Sequence, residues 1–235
     1  MARTNKSRLT QAEILTVASQ QFLKEGYGKT TVRSIAAELG RSTGNLTFYY
    51  PTKEHMLAEL TEMLCDFQWH MMEKEADDGL SSIMALCLEL ASMAAICEED
   101  AIMKEFYLAS YTTPMSLEII RRSDARRAKE VFSQTCSGWT DAQFTEAEIL
   151  VSGIEYTTLM TTGDSLPLED RIVGALNQIL SIYGVPEETR KTKIDKVLAM
   201  DFRSIGRKSH EELKEFVRKR NIDTLDELVH VSKQF

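Results

Sequence analysis

A group of polar and basic side chains within the first 55 residues is of the type that contacts nucleic acid. Its members are Thr30, Thr31, Arg33, Arg41, Ser42, Thr43, Asn45, Thr47, Tyr49 and Lys53. Hydroxyl, amide and phenol groups hydrogen-bond base edges and phosphates, and cations neutralise the phosphate backbone. These residues predict a DNA-binding surface if the local fold presents them together.

The stretch that must position these residues has the pattern of a helix-turn-helix. Ala36 is small enough to let two helices approach each other, and Gly40 takes the backbone conformation that ends the first helix. Leu46 seals the crossing, while Ser42 or Thr43 caps the second helix. The alternative is a helical hairpin inside an ordinary all-α core, because short motifs also occur by chance.

Charge is distributed unevenly along the chain. The whole protein has 235 residues and a net charge of −8, which by itself argues against a nucleic-acid partner. Residues 1–55, however, contain eight Lys or Arg against four Glu, whereas residues 56–186 contain eight against twenty-two acidic residues. Residues 187–235 contain twelve basic and ten acidic residues. A polyanion is therefore expected to meet the N-terminal part of the chain.

No catalytic or metal-binding motif stands out. The four histidines have no plausible co-ligands nearby in the sequence, and no phosphate-binding glycine loop or nucleophile motif occurs. We expect no enzyme activity, no cofactor and no metal, with an enzyme site assembled from distant residues as the alternative. Cys65, Cys87, Cys97 and Cys136 are expected to be reduced core residues. The absence of an apolar signal or a bilayer-length apolar run predicts a cytoplasmic protein.

Two blocks of the N-terminal sequence identify a resemblance to a known family. They read FLKEGYGKTTVRSIAAELG and GRSTGNLTFYYPTKE. From about Leu9 to Leu57 the chain resembles the DNA-binding domain of the TetR (tetracycline repressor) family of bacterial transcription regulators. Arg41, Asn45 and Thr47 depart from the residues usual in that family, so the base preference is expected to differ.

The resemblance implies an all-α homodimer in which a helix-turn-helix domain precedes a helical ligand-binding and dimerisation domain. The expected domains are residues 1–55, 56–186 and an additional helical part, 187–235. The implied dimer interface consists of residues on the last two helices of the body, which are Ile149, Gly153, Ile172, Leu176, Ile179 and Leu180. Met and aromatic residues suited to a small apolar or aromatic ligand are Trp69, Met72, Met93, Phe106, Tyr107, Tyr111, Tyr156 and Met160.

Hydrophobic spacing and capping patterns predict the bounds of the helices. The pattern TQAE at residues 10–13 predicts that the first helix begins there, after a basic arm that contains Arg3, Lys6 and Arg8. Body helices are expected at about residues 52–71, 81–96, 100–111, 115–136, 141–160 and 168–183. Two or three further helices are expected at about 187–205, 211–219 and 225–232. The arginines at 121, 122, 126 and 127 are expected on a solvated face, with a second anion site as the alternative.

The function that these observations imply is regulation of transcription by binding a palindromic double-stranded operator, with release by a small molecule. A helical protein–protein adaptor or a small-molecule carrier on the same fold is the alternative. No membrane partner is expected.

Overall fold

Three helices form the N-terminal part of the chain, called the head below. They are α1 (Ala2–Glu25), α2 (Val32–Glu38) and α3 (Thr43–Tyr49) in a computed structural model that describes residues 2–77 and 81–233. Gly40 follows α2 with a φ of 61°, a left-handed conformation that costs glycine no steric strain. Ala36 and Leu46 are both buried where α2 packs against α3. The predicted helix-turn-helix is confirmed.

Eight further helices lie in the described residues after α3, and this part of the chain is called the body below. They are α4 (Lys53–Asp77), α5 (Ser82–Glu99), α6 (Ala101–Thr112), α7 (Pro114–Val131), α8 (Asp141–Leu159), α9 (Leu168–Ile182), α10 (Glu187–Leu198) and α11 (Phe202–Lys233). The described residues contain no strand, so the predicted all-α class is confirmed. Buried side chains of head and body belong to one continuous core. In the described part of the chain, no helix has the length and apolarity needed to cross a membrane.

The first helix begins earlier than predicted. It includes the basic residues of the supposed arm, and Thr10 lies within α1 rather than at its start. The side chain of Thr10 is buried, and its Oγ1 donates a hydrogen bond to the carbonyl of Lys6 at 3.1 Å, one turn back. A hydroxyl that is satisfied in this way needs no helix terminus, which is why the capping pattern was misleading.

The seventh helix ends five residues before its predicted end. After Val131 the chain turns, and Phe132 stacks on Tyr183 with ring centroids 4.1 Å apart. The Cys136 thiol donates to the carbonyl of Tyr183 at 3.3 Å. Because these contacts join residues almost fifty positions apart, they end the helix at a point that no local sequence pattern indicates.

The described C-terminal residues form two helices, within the predicted two or three, but the separate helices predicted at 211–219 and 225–232 are one continuous helix. The sequences SHEE at 209–212 and TLDE at 224–227 have the pattern of helix starts, yet they lie inside α11, where the Thr224 hydroxyl donates to the carbonyl of Arg220 at 2.8 Å. A buried stripe along α11 runs without a break through Leu213, Val217 and Asn221. Because this stripe packs on α1 and α5, α11 connects the head with the body. Helix α10 packs on α5 and α9.

Arg127 lies in the interior of the body, so the prediction of a solvated face is wrong for this residue. Its guanidinium pairs with Glu89 and approaches Asp124 Oδ1 at 3.4 Å. Glu148 is also buried and accepts a hydrogen bond from the hydroxyl of Tyr183. Charges removed from water are tolerated only when they are paired or neutralised. The cluster therefore predicts that some of its carboxyl groups are protonated in the folded protein.

The pKa values of the carboxyl groups in this cluster are raised by burial. Burial, together with the charge of Asp124, raises the pKa of Glu148 to about 8. Burial raises the pKa of Asp124 to about 6, although the Arg127 charge opposes the shift. The pKa of Glu155 is raised well above its usual value by the same cause, and its Oε2 accepts from the Tyr111 hydroxyl at 2.9 Å. At a pH between the usual and the raised pKa values, these carboxyl groups therefore stay protonated in the folded protein and are ionised in the unfolded chain.

The four cysteines are free and buried, as predicted. Burial raises the pKa of the Cys87 and Cys97 thiols to about 12. Because the thiolate is the reactive form, these side chains act as small apolar core residues.

Candidate nucleic-acid interface

The outer face of α3 consists of exposed polar side chains. Leu46 points inward and is fully buried, whereas Asn45 and Thr47 on either side of it are exposed. Tyr49 is half-buried at the end of the helix. Asn side chains can pair with adenine through two hydrogen bonds in the major groove, and Thr can contact either bases or phosphates. This face has the chemistry needed to read base edges.

The first turns of α2 and α3 are held by side-chain caps. Ser42 Oγ accepts a hydrogen bond from the backbone N–H of Asn45 at 3.2 Å, so Ser42 is the cap and exposed Thr43 is the first helical residue. Thr31 caps α2 in a reciprocal arrangement with Ser34. These caps fix where each helix begins and hence which residues face outward.

Phe48 is an exposed aromatic residue that the predicted surface does not include. Its side chain is 79% exposed, and its ring contacts the edge of Tyr49 with centroids 5.1 Å apart. An exposed apolar ring on a reading helix can pack against a thymine methyl group. The signal was present in the sequence, because Phe48 lies two residues after buried Leu46 and therefore off the buried face of the helix.

Thr30 does not lie on the surface, contrary to the prediction. Its side chain is fully buried, and its Oγ1 donates to the carbonyl of Gly26 at 2.9 Å. The loop between α1 and α2 turns this residue inward and Thr31 outward. Residue type does not distinguish two adjacent threonines, and only the direction of the loop decides which of them faces the surface.

The ammonium group of Lys53 is bound by other groups of the protein. Its ammonium donates to the carbonyls of Tyr27 at 2.9 Å and of Thr30 at 3.2 Å, and it lies 3.9 Å from the centre of the Tyr27 ring. These contacts join the start of α4 to the loop after α1. The predicted phosphate contact is therefore replaced by a structural role, since two carbonyls and an aromatic face already surround the charge.

The remaining cations of the predicted surface differ in their surroundings. Arg33 on α2 is exposed, as is Lys29 before it. Arg41 is half-buried and forms an ion pair with Glu13 of α1. Arg33 and Lys29 are thus available to a phosphate backbone, whereas Arg41 first serves to hold the turn between α2 and α3 against α1.

The predicted dimer residues divide into two sets. Ile172, Leu176, Ile179 and Leu180 are buried within the single chain and cannot meet a partner. Ile149 and Gly153 of α8 are exposed. Large apolar side chains exposed on or next to the same two helices are Ile149, Leu150, Met160, Leu166 and Val173. On α9 the predicted residues lie on the buried face, because that helix uses its strongest apolar stripe for the core of its own chain.

The predicted ligand residues do not line one cavity. Met93 and Tyr107 line a cavity of about 50 Å³ between α4, α5, α6 and α11. Trp69 donates to Ser123 Oγ at 3.3 Å, and Tyr156 contacts Met160 Sδ at 3.1 Å. Phe106 is a fully buried core residue, Tyr111 bonds Glu155, and the side chain of Met72 lies outside the described residues.

A sequence profile described as "Bacterial regulatory proteins, tetR family" matches residues 14–60. The solved structure of "the TetR Family Protein, CprB from S. coelicolor A3(2)" is similar, with 21% identity and a TM-score of 0.42 over 80% of this chain and 97% of that one. A "gamma-butyrolactone receptor (ArpA like protein)" is similar with 18% identity and a TM-score of 0.38, over 88% and 98% of the two chains. No curated protein sequence matches this chain.

Proposed function

We propose that this chain is a transcription regulator of the TetR family, and that it represses transcription from a palindromic operator until a small molecule releases it. The supporting observation is that the matched segment, residues 14–60, contains α3, a helix whose outer face is polar and exposed. The head recognises DNA, and the body controls the position of the head.

Recognition is proposed to occur by insertion of α3 into the major groove. Asn45 is the candidate for pairing with adenine, and Phe48 is the candidate for packing on a neighbouring thymine methyl. Arg33 and Lys29 are exposed cations of the head and are the candidates for neutralising phosphates. Base contacts then select the sequence, while phosphate contacts set the register of the helix.

Two heads are needed to read a palindrome, and we propose that α8 and α9 pair with their copies. Leu150 is 57% exposed and Val173 is 38% exposed, an unusual position for large apolar residues on neighbouring helices. Gly153 and Gly174 have open space around them, so a partner helix can approach closely there. A two-fold pair of heads would contact half-sites about 34–36 Å apart.

Release is proposed to follow binding of a small, largely apolar molecule to the cavity that Met93 and Tyr107 line. The ligand shifts the equilibrium only if it prefers a dimer whose heads are incorrectly spaced. A preference of about 1–3 kcal/mol gives roughly a 5–150-fold loss of operator affinity.

Selection of binding sites from random-sequence duplex DNA with the full chain tests this function. The expected result is an inverted repeat. Asn45→Ala and Phe48→Ala should each weaken binding to that repeat by about 1–3 kcal/mol in a gel-shift titration. Glu130→Ala removes an exposed side chain of α7, outside the head and outside the helices of the proposed dimer surface, and should leave binding unchanged. Recovery of no common motif, or equal affinity in all four proteins, would contradict the proposal.

A further inference from the structure

The cavity between α4, α5, α6 and α11 contains two buried polar atoms that lack a hydrogen-bond partner. They are Ser92 Oγ on α5 and His210 Nε2 on α11, and both side chains are 5% exposed. The rest of the lining is mostly apolar and includes Leu88, Met93 and Ile205. Leaving a buried donor or acceptor unpaired destabilises the folded protein, so two such groups on one cavity indicate a missing hydrogen-bond partner.

The hydrogen-bonding role of each atom follows from its surroundings. His210 Nδ1 lies 3.6 Å from Asp100 Oδ2, a carboxylate oxygen that attracts the imidazole proton to Nδ1. The other Asp100 oxygen accepts the backbone N–H groups of Ile102 and Met103, which fixes the carboxylate in this position. In the neutral ring, Nε2 is then an acceptor, whereas the Ser92 hydroxyl can donate.

Burial of His210 favours the neutral ring. Burial, together with the charge of Lys214, lowers the pKa of His210 below its usual value, although Asp100 and Glu211 act in the opposite direction. At neutral pH the cavity therefore presents one donor and one acceptor rather than a fixed cation.

We propose that this cavity binds an apolar molecule through a single hydroxyl group, which donates to His210 Nε2 and accepts from Ser92 Oγ. A hydroxyl satisfies both atoms, whereas an ether or carbonyl oxygen can pair only with Ser92. The assignment names the chemical class of the releasing ligand and rests on the proposed function for its regulatory meaning.

Helix α11 connects this cavity to the head. Ile205, Gly206 and His210 line the cavity near the start of the helix. Further along, Val217 and Asn221 line a cleft together with residues of α1. The approach of α11 to α5 is close, because a Cβ on Gly206 would lie 2.6 Å from the carbonyl oxygen of Ser92. A ligand inserted beside Ser92 therefore displaces α11 from α5. Because α1 of the head packs on α11, this displacement is passed to the head.

Thermal unfolding with two isomeric probes, 1-butanol and diethyl ether, tests the assignment. Only the alcohol can donate to His210 Nε2, and the two molecules have the same composition. At a concentration that nearly saturates the cavity, 1-butanol should raise the Tm of the full chain by about 2–5 °C. Diethyl ether at the same concentration should raise the Tm less. Equal shifts for the two isomers would overturn the proposal.

Matched variants locate the effect. Ser92→Ala and His210→Phe should each abolish the difference between the two probes. Ser116→Ala removes another buried hydroxyl without a partner, but this residue lies on α7 outside the cavity and should keep the difference. If Ser92→Ala responds to the probes as Ser116→Ala does, the proposal is wrong.

A measurement on the unsubstituted protein avoids any dependence on folding of the variants. Histidine ¹⁵N spectra distinguish a proton on Nδ1 from one on Nε2, and the expected form of His210 carries it on Nδ1. A proton on Nε2 would overturn the assignment. None of these assays contains DNA, so their failure removes the ligand class alone, whereas failure of the DNA selection removes the proposed function and leaves the cavity's preference intact.

Discussion

Replacing Glu148 by Gln should change how the stability of this protein depends on pH. The Glu148 carboxyl accepts a hydrogen bond from the Tyr183 hydroxyl, and its other oxygen is buried without a partner. Glutamine has almost the same shape and also accepts from Tyr183, but it carries no charge at any pH. The substitution therefore removes the titration of this position and largely preserves its packing.

The sign follows from the direction of the pKa shift. Folding raises the pKa of Glu148 from its model-compound value of 4.5 to about 8, so between these values the folded protein retains a proton that the unfolded chain has lost. Stability therefore falls as pH rises through this window, by about 1.4 kcal/mol per pH unit for one proton. From pH 5 to pH 7 the loss due to Glu148 is about 2–3 kcal/mol.

The charges that face Glu148 from the neighbouring helices are Glu89 of α5, Asp124, Arg121 and Arg127 of α7, and Glu155 of α8. Some of these groups also titrate, so the absolute pH profile of the wild-type protein contains several contributions. The difference between wild type and Glu148→Gln reports the titration of Glu148 together with its electrostatic effect on these neighbours.

Urea unfolding at pH 5, 6, 7 and 8 provides the measurement. At pH 5 the two proteins should have similar free energies of unfolding, because Glu148 is protonated in the folded state and neutral like the amide. At pH 7 the variant should be more stable by about 2–3 kcal/mol. Glu130→Gln, at an exposed position on α7, is the control and should follow the wild type. Parallel pH profiles for wild type and Glu148→Gln would refute the reasoning.

Three further substitutions test the packing of the chain. Val173→Asp should leave a folded monomer, because this side chain lies on the proposed dimer surface, and sedimentation as a dimer would place the interface elsewhere. Gly206→Ala should lower the free energy of unfolding by about 1–3 kcal/mol through overpacking against α5, whereas Ser204→Ala at an exposed position of α11 should be neutral in the same urea titration. Lys53→Ala should cost about 1–2 kcal/mol of stability and leave the salt dependence of DNA binding unchanged; a flatter salt dependence with normal stability would restore the phosphate contact.

The helix-turn-helix was predictable from the sequence because its determinants are local. Ala36, Gly40 and Leu46 lie within eleven residues, and each acts through its own backbone conformation or size. The same holds for α6, whose start is set by the cap Asp100, which accepts two backbone N–H groups of that helix. The four buried cysteines also follow from composition and spacing alone.

The direction in which a residue points was decided by contacts between distant segments. Residue type places Thr30 and Lys53 on the DNA surface, but Thr30 bonds to Gly26 within the loop after α1, and the ammonium of Lys53 is bound by two carbonyls of that loop. The family resemblance places the apolar residue Leu176 on the dimer surface, but this side chain is buried in the core of the single chain. Periodicity shows that a helix has an apolar face but does not show what covers it.

The sequence by itself determined the helical class, the helix-turn-helix and the basic character of the head. Only the tertiary structure placed Ser92 and His210 on one cavity, although they are more than a hundred residues apart in sequence. It also decided that α11 extends from this cavity to its contact with α1. The physical reason is that helix formation and capping depend on neighbours within about four residues. A cavity and its unpaired atoms, in contrast, exist only after distant helices have packed.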